Sequence, residues 1–383
     1  MRRQGLERDD IVFLKEAISL ARRARGRTSP NPMVGAVVVR DGRVTGRGYH
    51  TRAGAPHAEV VALRRAGKSA RGARLYLNLE PCCHVGRTPP CTDAILAAGV
   101  AEVVACMRDP DPRVSGRGFR ALRAAGVRVR VGGIVGEARR LNEAFLRFQR
   151  TGLPFVTLKA GMSLDGRIAT REGESRWITS AGARQASRRL RARHDAVLVG
   201  VGTVLADDPE LLGPDGSGPL RVVLDSDLRT PARARLFRGA GPVLILTRRR
   251  APAGKRRRLE RRGALVVEVA SRRGRVDLEA ALFELGRRGV ATVLIEGGGE
   301  VLGSALDAGV GDRLALFVAP RLIGGRGALP AFAGDGARRL RDAAEVKDVR
   351  VRSLGADWLI EGMLRHPRMV TQGRWVGRRC LQG

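Results

Sequence analysis

Residues 57–91 open with His57-Ala58-Glu59 and close with Glu80-Pro81-Cys82-Cys83-His84-Val85-Gly86-Arg87-Thr88-Pro89-Pro90-Cys91. An imidazole and two thiolates are good zinc ligands, and three protein donors leave a fourth position for water. A glutamate two residues past the histidine can carry protons without binding the metal. Together these groups are the working set of a zinc-dependent base deaminase. Pro56 precedes a helix expected from His57 to about Ala66, with Val60 and Leu63 on its core face and Gly67 as its stop. Leu75 to Leu79 reads as a buried strand that runs directly into the cysteine loop. Pro90 suits the first turn of a helix over Cys91 to Ala98. The cysteines therefore fall at a strand end and at a helix N-terminus, where the positive dipole end favours thiolate.

On this reading His57, Cys82 and Cys91 hold zinc, and Glu59 takes a proton from water and delivers it to the ring nitrogen and the departing ammonia. His-Ala-Glu alone and Pro-Cys alone are weak signals; their combination in this context is specific. Cys83 is a competing ligand, but Cys82, directly after Pro81, is preferred. Cys106 reads as a small buried hydrophobe. Zinc deaminases commonly separate their cysteines by two residues, whereas here Cys83 to Pro90 intervene.

Outward from this stretch, Ile11, Leu14, Ala17, Ile18 and Ala21 recur at helical spacing, and Gly26 ends that helix. Val34–Val39 and Val44–His50 flank Asp41-Gly42 as a hairpin. Strands at Val100–Cys106 and Val127–Val131 complete a strand–helix alternation that closes by about residue 148. A new series begins at Phe155–Ala160 and continues at Ala196–Val199, Arg221–Leu224, Val243–Leu246, Leu265–Val269 and Ala291–Ile295. Strands return near Leu314–Val318, Val346–Ser353 and Trp358–Glu361. The boundary is placed at Arg150-Thr151-Gly152-Leu153-Pro154, giving domains at 1–150 and 151–364, with an arginine-rich tail at 365–383. No internal repeat is evident.

A chain of 383 residues favours two domains over one core. Its net charge of +33 raises nucleic-acid binding as a reading. Two features discount it. Of 71 basic residues only five are lysine, and the arginines are scattered, with dense runs only at Arg248–Arg250 and Arg256–Arg258. Aromatic residues at 4% leave few stacking platforms for single strands. No apolar run reaches membrane-spanning length, so no membrane partner is expected. The charged first ten residues lack a signal-peptide core, and three of five cysteines crowd into residues 82–91. That pattern suits a metal site in the cytoplasm better than a disulfide framework.

The long cysteine spacing and its contents resemble a known family. Glu80-Pro-Cys-x-His-x-Gly-Arg-Thr-Pro-Pro-Cys91, Pro30-Asn-Pro-x-Val-Gly35 and Gly48-Tyr-His-x-x-Ala-Gly-x-Pro-His-Ala-Glu59 are similar to the bifunctional deaminase–reductases of riboflavin biosynthesis. So are Lys159-x-x-x-Ser-Leu-Asp-Gly166, Gly173-Glu-Ser-x-Trp-Ile-Thr-Ser180, Thr203-Val-Leu-Ala-Asp-Asp-Pro209 and Glu296-Gly-Gly-Gly299. The resemblance covers roughly residues 10–363. It implies an α/β fold class, with an N-terminal cytidine-deaminase-like α/β/α domain and a C-terminal dihydrofolate-reductase-like α/β domain. It also implies Zn2+ and NADPH as cofactors, a phosphorylated pyrimidine as small-molecule substrate, and a homo-oligomer. The first domain would deaminate a 2,5-diaminopyrimidinone ribose phosphate at ring C2; the second would reduce its ribosyl group to ribityl.

By resemblance, Asn31 and His50 line the deaminase pocket and Arg87 reaches the substrate phosphate. In the second domain Gly161, Trp177, Thr203, Asp207, Ser226 and the run Gly298, Gly299, Glu300, Val301, Leu302, Gly303 and Ser304 would contact the cofactor. Ser175, Arg191, Leu211 and Glu296 would contact substrate. No Gly-x-Gly-x-x-Gly follows a predicted strand, which argues against a Rossmann domain. Glu296-Gly297-Gly298-Gly299 does stand between a strand and a helix, where bare N–H groups can meet a phosphate.

Two departures stand out. Leu211-Leu212-Gly213-Pro214 lacks an arginine the family carries there for the substrate phosphate; either Arg191 and a relocated arginine such as Arg221 compensate, or the reductase binds substrate weakly. Asp111 stands where the family has asparagine, replacing a donor-capable amide with an acceptor-only carboxylate. Two other readings remain open at this stage. One is a cytidine or tRNA adenosine deaminase with an accessory domain; the other is a deaminase whose reductase-like half serves only oligomerisation or regulation.

Overall fold

The computed structural model describes residues 6–86, 89–216 and 218–367, which divide into two compact units meeting at Arg150 and Thr151. The first unit runs α1 (Arg8–Arg22), β1 (Gly35–Arg40), β2 (Arg43–Tyr49), α2 (Ala58–Ala66), β3 (Arg74–Leu77), α3 (Cys91–Ala97), β4 (Glu102–Ala105), α4 (Arg117–Ala124), β5 (Arg128–Val131), α5 (Val135–Leu141) and α6 (Glu143–Thr151). Its five strands lie in the order β2-β1-β3-β4-β5. The β1 pairings are antiparallel, and β3-β4-β5 are parallel.

Alternation along the buried strands sends side chains to both faces. Val38, Leu75, Leu77 and Val103 pack with α2, α3 and α4, while Val37, Val39, Tyr76 and Val104 pack with α1, α5 and α6. The result is the α/β/α sandwich that the resemblance implies. α2 lies directly on β2 because Gly46 and Gly48 offer no side chain there. A Cβ on either would come within 2.2 Å of the carbonyl of Ala62 or Ala58. That close approach sets where the start of α2 falls.

A buried ion cluster ties α1 to the sheet. The Arg130 guanidinium contacts Asp10 Oδ2 at 2.7 Å and Glu102 Oε1 at 2.6 Å, and Tyr76 donates to Asp10 Oδ1 at 2.9 Å.

The second unit runs β6 (Phe155–Ser163), β7 (Arg167–Ala169), α7 (Ala181–Arg191), β8 (Ala196–Gly200), α8 (Val201–Asp207), β9 (Leu220–Leu224), β10 (Val243–Arg248), α9 (Ala253–Glu260), β11 (Ala264–Val269), β12 (Ser271–Arg272), β13 (Arg275–Val276), α10 (Leu278–Arg287), β14 (Thr292–Ile295), α11 (Gly299–Asp307), β15 (Arg313–Ala319), β16 (Leu329–Pro330), β17 (Glu345–Leu354) and β18 (Asp357–Arg365). Nine strands form one sheet in the order β11-β10-β9-β8-β14-β6-β15-β18-β17. From β11 to β15 the neighbours are parallel; β18 pairs antiparallel with both β15 and β17.

The chain steps outward from β8 to β11 and then returns to insert β14 between β8 and β6. In such sheets ligands bind outside the carboxyl ends of the strands, at the point where the order reverses. The last strand continues through Arg365, which pairs with Glu345, so the sheet runs one residue past the expected end at 364. The remainder of the expected tail, 368–383, lies outside the described residues. Among the described residues no helix is long and apolar enough to cross a membrane.

The ion cluster carries a testable consequence for the first unit. Arg130→Met would leave Asp10 and Glu102 buried without their shared cation, at a cost of about 3–5 kcal/mol. Chemical denaturation of the purified chain measures this; a change within about 0.5 kcal/mol, the range of ordinary surface substitutions, would show that the cluster is dispensable.

Candidate active site

In the first unit the candidate residues converge at the carboxyl end of β3. His57 is the N-cap of α2, and Glu59 sits in the first turn of that helix. Cys91 opens α3, and Cys82 lies in the loop that follows β3. The donor atoms of His57, Cys82 and Cys91 all lie within 4.8 Å of one another. His57 Nδ1 is 3.1 Å from Cys91 Sγ and 3.5 Å from Cys82 Sγ. Zn–N distances of about 2.0–2.1 Å and Zn–S distances of about 2.3 Å set tetrahedral donors roughly 3.5 Å apart, so this donor set fits a zinc ion.

The two thiols and the imidazole share their protons. Hydrogen bonding to Cys91 and then to His57 pushes the Cys82 thiol down to about 4. The same bond to Cys82, with burial, pushes Cys91 up. Cys83 turns away from this cluster, with its thiol 3.8 Å from the Arg113 carbonyl, and burial raises it.

Glu59 is buried, and its Oε2 has no hydrogen-bond partner among the described residues. Burial, then the negative charge of Cys82, pushes its carboxyl up to about 7, against the opposing pull of His57. A carboxyl poised near neutrality can both accept and return a proton. His50 stands beside His57, and Asn31 beside His50. Asn31 Nδ2 is 3.3 Å from His50 Nε2, and the His50 ring packs edge-on against His57 with centroids 5.2 Å apart. Burial lowers the His50 pKa, keeping the ring neutral, with Nδ1 3.3 Å from the Pro56 carbonyl. Arg87 lies outside the described residues.

Asp111 does not point its charge into free space. Its carboxylate accepts from Arg113 Nη2 at 2.7 Å and from the Arg113 backbone N–H at 2.9 Å. Its pKa is lowered: burial opposes ionisation, but the bonds and charge of Arg113 prevail.

In the second unit the candidates gather at the carboxyl ends of β6, β8, β9 and β14. Gly161 lies near the end of β6, Thr203 and Asp207 on α8, Ser226 just after β9, and Gly298 and Gly299 at the start of α11. The α8 and α11 N-termini are adjacent, since the Gly200 N–H donates to the Gly297 carbonyl at 3.2 Å. A Cβ built on Gly298 would meet only Thr203 Oγ1, at 3.5 Å, so bare backbone faces open space there. Two adjacent helix N-termini, with bare backbone open at Gly298, fit the phosphates of a dinucleotide.

The remainder of the 298–304 run is more divided. Glu300 is turned to Arg275 at 2.8 Å, Leu302 is buried in the core, and a Cβ on Gly303 would overlap the Ala333 carbonyl. From Val301 onward the N–H groups are consumed within the helix, so the end at Gly298 is where a ligand can be met. Ser226 Oγ accepts from the Val276 N–H at 3.0 Å, and the exposed Trp177 ring lies 4.3 Å beneath the Arg184 guanidinium.

The substrate-side candidates centre on Glu296. Arg191 grips its carboxylate with two bonds, Nε to Oε1 at 2.6 Å and Nη2 to Oε2 at 2.8 Å, and Lys159 Nζ lies 3.5 Å from Oε2. Burial alone would raise Glu296; the two cations overcome it and hold the carboxyl down to about 2. Arg191 also donates to the Leu212 carbonyl at 3.3 Å, and Ser175 Oγ to Asp207 Oδ1 at 3.0 Å. Leu211 is buried, with a positive φ of 57°, so it can meet a ligand only through its backbone.

Arg221 is not the relocated arginine. It is 1% exposed, and its two Nη groups donate to the carbonyls of Arg238, Ala240 and Gly241, away from any ligand. A basic residue on a buried strand had no signature separating it from the surface arginines around it.

Two supporting residues had no local signal either. Asn78 Oδ1 accepts from the Gly35 N–H at 2.8 Å, Asn142 Oδ1 accepts from the Met33 N–H at 2.8 Å, and both side chains donate to the Met33 carbonyl. They clamp the turn that carries Asn31. Lys159 was visible only as a motif position.

Comparison with known proteins agrees with this geometry. Residues 7–107 match the family described as the cytidine and deoxycytidylate deaminase zinc-binding region, and residues 154–360 match the RibD C-terminal domain. The chain is 42% identical to the riboflavin biosynthesis protein RibD of Bacillus amyloliquefaciens over 349 residues, covering 90% of this chain and 94% of that one. It is also 42% identical to RibD of Escherichia coli over 367 residues, covering 91% and 97%.

The chain belongs to the RibD family. Among solved structures, RibD of Acinetobacter baumannii superposes with a TM-score of 0.84 at 36% identity, covering 94% of this chain and 99% of that one. A diaminohydroxyphosphoribosylaminopyrimidine deaminase/5-amino-6-(5-phosphoribosylamino)uracil reductase of Thermotoga maritima gives 0.80 at 35% identity, with coverage of 94% and 99%. RibD proteins are deaminases and reductases in one chain, dependent on zinc and NADPH, so neither the accessory-domain reading nor the inactive-module reading is favoured.

Because Glu296 ionises more readily folded than unfolded, it contributes stability above about pH 4.5, and that contribution is lost as pH falls toward about 2. Unfolding free energies measured between pH 5 and pH 2 should therefore fall by roughly 3 kcal/mol less in Glu296→Gln than in the wild type. Parallel pH profiles would show that the carboxylate is not held by its cations.

Proposed function

We propose that the first unit hydrolytically deaminates 2,5-diamino-6-(5-phosphoribosylamino)pyrimidin-4-one at ring C2, and that the second reduces the ribosyl group of the product to ribityl with NADPH. The observation that carries the first step is the convergence of His57, Cys82 and Cys91 on one point, with the unpartnered carboxyl oxygen of Glu59 buried beside it. His57, Cys82 and Cys91 hold zinc on this reading, and the metal, when bound, supplies an acidified water. Glu59 accepts one proton from water and returns it to the ring nitrogen, then carries the proton of the added hydroxyl to the departing amine as the C–N bond breaks. His50, neutral and hydrogen-bonded to Asn31, orients the base, while Arg87 is assigned to the phosphate.

In the second unit the hydride is the cofactor's chemistry, and the protein's task is placement. The Gly298 end of α11 and Thr203 receive the cofactor phosphates, with Gly161, Trp177, Asp207 and Ser226 around the remainder. Arg191 and Glu296 hold each other rigid beside the hydride path, with Ser175 and the Leu211 backbone completing the substrate side.

We further place the enzyme in the cytoplasm and infer self-association. The support for the latter is β17, a ten-residue strand at the sheet edge that leaves Val349 and Val351 largely exposed. Such edges invite pairing.

Glu59→Gln should keep about one zinc per chain and lose roughly 10²–10⁴-fold in ammonia release. NADPH oxidation on pre-deaminated substrate should be unchanged. Deamination at the wild-type rate would refute the assignment. Chelation of zinc should likewise abolish ammonia release and spare the reductase; loss of both activities would contradict a metal confined to the first unit.

A further inference from the structure

Glu80 stands two residues before the ligand Cys82, and it is 3% exposed. Three backbone N–H groups converge on its carboxylate. Oε2 accepts from Asp109 at 3.1 Å and from Gly116 at 2.9 Å, and Oε1 accepts from Phe119 at 3.2 Å. Gly116 is the N-cap of α4 and Phe119 its third residue. The carboxylate therefore caps that eight-residue helix from outside, where N–H groups lack partners and the dipole favours negative charge. The contact continues into the next residue, since a Cβ on Gly118 would come within 2.2 Å of the Pro81 carbonyl.

From the other side, the Thr92 N–H donates to the Cys82 carbonyl at 3.2 Å, and the Cys91 N–H points at Cys82 Sγ from 3.3 Å. Pro81-Cys82 is thus gripped between the starts of α3 and α4. Only a carboxylate can make the α4 half of that grip. It is acceptor-only on both oxygens, whereas an amide would set an NH₂ against one of the converging donors.

We propose that Glu80 is a positioning residue of the metal centre: by capping α4 and pinning the 109–116 loop, it fixes the Pro81–Cys82 backbone and so aims the Cys82 sulfur. The proposal rests on the zinc site read above. Residues that orient metal ligands typically govern 10–100-fold in metal affinity.

The test is the rate at which the full-length, zinc-loaded chain gives up its metal to excess chromophoric chelator, well below its melting temperature. It is paired with the absorption spectrum of the cobalt-substituted protein. Glu80→Gln should release zinc about 10–100-fold faster and shift the cobalt bands. Glu80→Asp, which keeps two acceptor oxygens, should recover part of the loss. A folded Glu80→Gln chain with wild-type release and an unshifted spectrum, even if it melts lower, would assign Glu80 to stability alone and overturn the proposal. If Glu80→Gln does not accumulate folded, Glu80→Asp decides. Release at least about threefold faster supports the proposal, and the wild-type rate overturns it. Failure of the zinc site itself would look different, because the wild-type chain would then hold no zinc.

Discussion

The deaminase unit is built around a crowding problem: two cysteine sulfurs and an imidazole nitrogen within 4.8 Å of one another. Such groups cannot all take their metal-binding forms side by side unless charge and geometry are arranged for it. The fold solves this with helix starts. α2 begins at His57 and α3 at Cys91, whose N–H points at Cys82 Sγ, while the start of α4 holds the Glu80 carboxylate next to Pro81-Cys82. The glycines at 46 and 48, which let α2 lie flat on β2, serve the same end by fixing where His57 and Glu59 emerge.

Two buried glutamates show how environment decides a role. Glu59 and Glu296 are both withdrawn from water, and burial alone would raise both. Glu59 has a neighbouring thiolate and an unpartnered oxygen, and its carboxyl rises to about 7. Glu296 has Arg191 and Lys159, and it falls to about 2. The first is suited to moving a proton, and the second to being a permanent charge. The same residue type is therefore suited to the acid–base work proposed for Glu59 in one unit and to the substrate-side scaffolding proposed for Glu296 in the other.

Much of this was legible in the order of residues because the signals were local. The helix at His57, the strand into Pro81-Cys82 and the glycine run after Ile295 each lie within a few residues of the group they position. Their turn and cap residues say where the chain must bend. What escaped depends on partners far away. Asn142 reaches Met33 across 109 positions, and Glu80 reaches Phe119 across 39. An asparagine or glutamate has the same letter whether it faces solvent or three converging N–H groups. Arg221 failed in the opposite direction, because an arginine suggests an available cation and only the packing of β9 reveals that it is buried with its Nη donors turned to backbone carbonyls. The short strands β7, β12, β13 and β16, each of two or three residues, carry no periodicity to read.

Two steps performed in succession by one chain tie ammonia release to NADPH oxidation, so both are followed in a single reaction. The purified, zinc-loaded chain is given the diaminopyrimidinone ribose phosphate together with NADPH, and ammonia and NADPH are quantified over time. Equal amounts of ammonia released and NADPH oxidised are expected, with ammonia appearing first. Full ammonia release with no NADPH consumed, or NADPH oxidation preceding any deamination, would contradict the two-step succession.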